Sequence, residues 1–286
     1  MKELTKDLKA LILLLAGLSV LLITYWGATD GLEFVLKDRE AETPGFIDTT
    51  NPNELLPDLL PLPPRDLRVT VEGGTPLLRF STTYYNKGRG PVELRFDDES
   101  TNLQVDIDRQ VMQRIYLKDG GYRDVAVGTF LWHQEHLHYH FSDFIEYDLE
   151  VVDAPPRGDI SGSLVKSTFC VRDVSRVTLE NPNISEEAVY DICAKRLQGV
   201  SVGWGDTYYY DYPGQALDIS DLASGTYRLS FHANPAGRIE EIHYDNNTSS
   251  TLFRLDMENK TIEVLEEWPA ETPYVEHIHL DDPFGL

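Results

Sequence analysis

Four of the chain's eight histidines fall in one run, Trp132-His133-Gln134-Glu135-His136-Leu137-His138-Tyr139-His140-Phe141. In an extended strand, residues two apart share a face, so His136, His138 and His140 point one way and Leu137, Tyr139 and Phe141 the other. Three desolvated imidazoles crowded together are wasteful unless something joins them, and the pattern therefore points to one metal ion. His133 has the opposite parity and joins the trio only if the Gln134-Glu135 step is a bulge or bend. Imidazoles suit zinc, copper, iron and nickel alike, whereas magnesium and calcium are disfavoured without a carboxylate. Zinc with an open position would acidify a bound water into a nucleophile, so the chemistry stays open at this point.

The elements that must position these histidines read as short strands. Runs rich in β-branched and aromatic residues recur at 67–71, 77–85, 92–96, 111–116, 125–132, 136–152, 163–171, 226–233 and 249–255, and this spacing predicts an antiparallel β-sandwich. Asn86-Lys87-Gly88, Asp119-Gly120-Gly121 and Ala223-Ser224-Gly225 are turn signals between them. One short helix is expected from Ser185 to Ala194, with Asn183 or Ser185 as its cap and Glu186 and Glu187 in its first turn. Residues 57–255 form the expected body, entered through the proline-rich run Pro57-Asp58-Leu59-Leu60-Pro61-Leu62-Pro63-Pro64. Residues 256–286 are expected to add one strand at 261–265 and then an acidic tail.

With 286 residues, 41% of them hydrophobic and 10% aromatic, the chain has enough apolar side chain for one packed body and is not globally disordered. The formal charge of −23 argues against a nucleic-acid partner, which needs a clustered basic surface; the acidic surface would attract an amine, the alternative being that it only serves solubility or a salty habitat. Residues 10–28 are uncharged over 19 positions, nearly enough to span a hydrocarbon core of about 30 Å as a helix. Lys2, Lys6 and Lys9 precede this stretch, and Asp30 and Glu33 follow it. The positive-inside rule then keeps the N-terminus cytoplasmic and exports the body. Residues 1–28 are thus expected to anchor the protein in the cell membrane, the alternative being a cleaved signal and a secreted body. Residues 29–56, acidic and proline-containing, read as a stalk. An exported body permits disulfides, and the two cysteines, Cys170 and Cys193, are the expected pair.

Five ordered stretches resemble the lysyl oxidase family: 77–88 (LLRFSTTYYNKG), 132–141 (WHQEHLHYHF), 166–173 (KSTFCVRD), 198–208 (QGVSVGWGDTY) and 214–220 (GQALDIS). The resemblance implies a copper amine oxidase. Its copper ligands would be His136, His138 and His140 with His133 as the additional histidine, and its quinone, lysyl tyrosylquinone, would be built from Lys166 and Tyr208. Substrates would be primary amines, peptidyl lysine or small amines, oxidised to aldehydes with O2 consumed and ammonia and hydrogen peroxide released. Quinone addition needs a neutral amine, which a desolvated Lys166 would supply. Asp206, two residues from Tyr208, is the expected proton acceptor by proximity. The resemblance also implies calcium on Asp58, the Leu59 carbonyl, Glu241, Asn246 and Asn247. Two departures stand out: His243 occupies a place where an acidic ligand is expected, and Glu135 replaces a cysteine that animal members carry between the first two histidines.

Two other classes fit the residues alone. One is a zinc or iron enzyme using the three-histidine strand, for which Lys166 and Tyr208 would be ordinary and far apart. The other is a non-enzymatic, metal-stabilised binding or adhesion sandwich on a stalk.

Overall fold

The computed structural model describes residues 51–96, 108–133, 138–155, 170–193 and 196–277. The expected anchor, His136 and Lys166 lie outside them, and among the described residues no helix is long and apolar enough to cross a membrane. In chain order the strands are β1 (Glu54–Leu55), β2 (Leu59–Pro61), β3 (Arg65–Glu72), β4 (Thr75–Asn86), β5 (Val92–Arg95), β6 (Arg109–Leu117), β7 (Tyr122–His133), β8 (His138–Phe141), β9 (Ile145–Asp153), β10 (Ser175–Val177), β11 (Leu197–Val200), β12 (Trp204–Tyr208), β13 (Ala216–Asp218), β14 (Gly225–Ala233), β15 (Thr248–Asp256), β16 (Thr261–Trp268) and β17 (Val275–His277).

These strands make three antiparallel sheets. One runs β11-β5-β6-β7-β8 with β1 on β6, and a second runs β13-β4-β12-β10-β17 with β2 and β3 on β4. The third is β16-β15-β14-β9. The described fold thus begins before Pro57 and continues past Leu255, through β16 and β17.

Alternation decides which faces are inward. In β14, Tyr227, Leu229, Phe231 and Ala233 are buried while the residues between them are half-exposed, as the two-residue period of a one-sided strand requires. Buried residues of all three sheets, among them Phe80 and Tyr84 of β4, Phe130 and Tyr139 of β7 and β8, and Phe231 and Phe253 of β14 and β15, share one hydrophobic cluster. Buried hydroxyls at the seam with the proline-rich entrance are satisfied: Ser249 Oγ donates to the Leu62 carbonyl at 2.8 Å and Thr251 Oγ1 to that of Pro64 at 2.7 Å.

Two expectations are corrected. No helix forms from Ser185 to Cys193, and among the described residues there is none at all. A helical turn would send the Val189 N–H to the Ser185 carbonyl. Instead the Trp204 indole N–H takes that carbonyl at 3.0 Å, and the Val189 and Tyr190 N–H groups donate to buried Asp173 Oδ2 at 2.9 and 3.1 Å. Tertiary partners therefore outbid the capping signals. The run expected as a single strand from 136 to 152 is two strands, β8 and β9, divided at Asp143, whose φ of 52° turns the chain.

Candidate active site

Strands β7 and β8 are consecutive and antiparallel, with His133 directly opposite His138 and Leu131 opposite His140. Opposed residues share a face, so His133 joins His138 and His140 from the neighbouring strand, while the Gln134-Glu135 step itself lies outside the described residues. Its ring stacks on that of His140 with centroids 4.7 Å apart and planes inclined by 23°. His138 Nε2 and His140 Nε2 face each other at 2.9 Å, both side chains being buried. Two buried imidazole nitrogens converging on one point, with a third ring alongside, suit an imidazole-seeking metal ion. Tyr139, between them, turns to the opposite face and packs edge-on against Trp132 at 5.1 Å and Phe96 at 5.6 Å, which fixes the orientation of the strand.

Strand β12 brings the other half of the site. Asp206 and Tyr208, two apart, share a face. The Tyr208 hydroxyl donates to the Cys170 carbonyl at 2.7 Å. Cys170 and Cys193 form the expected disulfide, with Cα atoms 5.8 Å apart. A ring nitrogen of His138 and the two sulfurs all lie within 4.8 Å of one another. The disulfide is therefore the place where the histidine strand and Tyr208 meet. Lys166 stands four residues before Cys170 in sequence, outside the described residues.

The electrostatics of this half are set by burial. Asp206 is buried, its Oδ2 accepting from the Tyr84 hydroxyl at 2.9 Å and the Arg172 N–H at 3.4 Å. Desolvation pushes its carboxyl up to about 7, against the pull of the Arg172 charge and the Tyr84 hydrogen bond. Burial, then the neighbouring Asp206 charge, raises the Tyr208 phenol well above its ordinary value, so it is held neutral. The Tyr212 ring stands edge-on to Tyr208 at 6.3 Å, with Tyr209 edge-on to Tyr212 at 5.4 Å.

Three residues of this neighbourhood escaped the sequence reading: Tyr84, Arg172 and Gln198. Gln198, fully buried on β11, accepts the Val171 N–H at 3.1 Å and donates to the Tyr139 carbonyl at 2.7 Å. One side chain thereby ties the histidine strand, between His138 and His140, to the residue after Cys170. An isolated amide in an otherwise apolar and glycine-rich run was the available signal.

The residues expected to hold calcium also come together. Glu241 is buried; its Oε1 accepts from Asn234 Nδ2 at 2.5 Å and Asn247 Nδ2 at 2.6 Å, and its Oε2 from the Leu59 N–H at 2.9 Å. Leu59 thus meets Glu241 through its N–H. Asp58 Oδ1 accepts from Asn246 Nδ2 at 3.0 Å, and Asp58 Oδ2 lies 3.4 Å from His243 Nδ1. The side-chain oxygens of Asn246 and Asn247 are buried without a hydrogen-bond partner. Burial pushes the Glu241 carboxyl up to about 8. Two carboxylates and two unsatisfied amide oxygens in one place are a donor set for a hard cation.

Fold and site together define the class: an all-β protein of antiparallel sheets that gathers buried histidines, a tyrosine and a disulfide at one point. The family model described as lysyl oxidase matches residues 123–265, and the chain belongs to the lysyl oxidase family. Human lysyl oxidase homolog 1 is 33% identical over 154 residues, 52% of this chain and 25% of that protein. Chicken protein-lysine 6-oxidase is 30% identical over 202 residues, 67% of this chain and 44% of that protein, and pig protein-lysine 6-oxidase is 34% identical over 117 residues, 41% and 43% respectively. The chain spans less than half the length of each of these relatives.

Proposed function

We propose that the chain is a copper- and quinone-dependent amine oxidase that converts primary amines, peptidyl lysine or small amines, to aldehydes, consuming O2 and releasing ammonia and hydrogen peroxide. One observation carries the reading: Tyr208 is hydrogen-bonded to Cys170, whose disulfide lies against the metal-site histidine His138. A phenol beside a histidine metal site is the juxtaposition that copper-assisted oxidation of a tyrosine ring requires. The names of the chicken and pig relatives, protein-lysine 6-oxidase, support protein lysine as the substrate class.

In this reading His136, His138 and His140 hold copper with His133 beside them, and Lys166 and Tyr208 are the parents of lysyl tyrosylquinone. Copper and the quinone would supply electron acceptance from the amine and its passage to O2. The chain's own residues do the rest. The Cys170 carbonyl orients Tyr208, and Gln198 fixes the two halves of the site relative to each other. Asp206, on the face of Tyr208 and with its carboxyl pushed near neutrality, takes the proton released from the substrate carbon. Arg172 and Tyr84 hold that carboxylate in place. The Asp58, Leu59, Glu241, Asn246 and Asn247 cluster holds calcium and braces the loops that carry it. The 1–28 segment tethers the protein to the cell membrane with the catalytic body outside.

The test is mass spectrometry of the copper-loaded, oxygen-exposed chain for a Lys166–Tyr208 cross-linked peptide, together with visible quinone absorbance. Both are expected. Absence of the cross-link, with copper bound and oxygen supplied, would overturn the oxidase reading in favour of a metal-binding sandwich.

A further inference from the structure

We infer that Cys170, Cys193 and His138 form a second, redox-gated metal site that takes Cu(I) when the disulfide is open. This inference does not depend on quinone formation. It rests on the two sulfurs and a His138 ring nitrogen lying within 4.8 Å of one another, all three residues being buried. In a trigonal shell with metal–sulfur bonds of about 2.3 Å, two sulfurs sit roughly 4 Å apart. Opening the S–S bond therefore requires the two sulfurs to move apart, beside a His138 ring nitrogen that already lies within 4.8 Å of both.

The opening step balances simply. A dithiol reductant closes to its own cyclic disulfide, and its two thiol hydrogens are transferred to Cys170 and Cys193 as the bond between them breaks. Cu(I) then displaces both thiol protons and binds two thiolates and one imidazole. Softness determines the choice of ion: paired thiolates select Cu(I), whereas the imidazoles of His133, His138 and His140 suit Cu(II) equally well. His138 belongs to both sets. With the S–S bond closed, the sulfurs are removed as anionic ligands and the imidazole set stands alone. With it open, the thiolates compete for His138 and for the metal. The state of one covalent bond therefore decides which ligands hold copper and in which oxidation state.

The experiment uses the full chain stripped of metal, either oxidised or reduced with a water-soluble phosphine and desalted without oxygen. Each form is titrated with Cu(I) against a colorimetric Cu(I) chelator. X-ray absorption at the copper edge then reads the ligand atoms, and thermal melting reads the fold. The reduced chain is expected to take up one equivalent more tightly than the oxidised chain by about tenfold or more, with copper–sulfur scattering and a raised melting temperature. Cys193→Ser should abolish the sulfur pair, and His138→Ala should weaken uptake while both thiols remain. Equal uptake by oxidised and reduced chains overturns the inference. So does equal affinity in His138→Ala, which would mean that thiols of an unfolded chain bind unaided. A reduced chain that is unfolded and is not refolded by Cu(I) overturns it as well.

Discussion

The histidine–tyrosine centre takes its side chains from strands, His133 from β7, His138 and His140 from β8, and Asp206 and Tyr208 from β12. The Asp58–Glu241 cluster takes its side chains from the connections before β2 and between β14 and β15. Strand donors are fixed by cross-strand register, so their spacing is as rigid as the sheet itself. Loop donors are free to close around an ion and in return are tied down by it. The first arrangement suits chemistry that needs reacting groups held in register, and the second suits a brace. The donors differ accordingly: imidazole and phenol in one, carboxylate and amide oxygen in the other.

The sharpest way to break this contrast is to delete one donor from each centre. His138→Ala should cut amine-dependent peroxide production by about 10³-fold or more, since copper chemistry loses a ligand. Glu241→Gln should cost no more than about 10²-fold in the same coupled peroxidase assay, as a residue outside the reacting set acts only through geometry. Equal losses would mean that the two centres work as one.

Next in size is Asp206→Asn, expected to lower kcat by about 10²–10³-fold. In the parent, kcat/KM should rise with pH through about 7 as the Asp206 carboxyl ionises, and that limb should vanish in the variant. A retained limb would assign the proton acceptor elsewhere.

Gln198→Leu strands the Tyr139 carbonyl and the Val171 N–H, for a loss of about 2–4 kcal/mol in urea unfolding. Because Gln198 joins the histidine strand to the Cys170 segment, the copper-loaded variant is expected to form the proposed quinone more slowly, with its response to added calcium matching the parent's. An unchanged rate of quinone formation would reduce Gln198 to a packing residue.

The smallest effect concerns pH and the loop cluster. Glu241 has its folded carboxyl raised to about 8, above the ordinary value of about 4.3, so the folded state keeps a proton that the unfolded chain has lost. Its stabilising contribution is full below about 4.3 and declines as pH rises through the window up to 8. Asp206 contributes a decline of the same sign that ends near 7, so the part of the fall between 7 and 8 that Glu241→Gln removes is the Glu241 contribution. In the presence of a chelator, the melting temperature should fall by roughly 2–4 °C across that interval. Calcium or Glu241→Gln should suppress the fall, and a flat curve in chelator would count against the proposal that this cluster holds a cation.

The all-β class was legible because several strands have one wet face, and β14 or β15 shows the resulting alternation directly. Strand β12 was not, because Trp204 to Thr207 are buried on both faces and interrupted by Gly205, so the segment carries no two-residue period. The helix expected at Ser185 rested on local capping chemistry, which Asp173 and Trp204 override from elsewhere in the chain. The trio of histidines was visible as spacing, but the placement of His133 depends on a pairing partner that parity along one strand does not reveal. Asp206 was legible as a neighbour of Tyr208; its near-neutral carboxyl depends on burial beneath Tyr84 and Arg172, which only the assembled sheets create.

The β7–β8 pairing has a consequence for the order of events in a newly made chain. His133 and His138 meet across a single short excursion of backbone, a contact of low sequence separation that closes with little loss of chain entropy. Tyr208 reaches the same spot only after β12 has found β4, whose residues precede it by more than a hundred positions. The histidine pair is thus expected to form on the timescale of a hairpin, and Tyr208 to arrive later with the long-range β12–β4 pairing, a difference that pulsed hydrogen exchange during refolding would read.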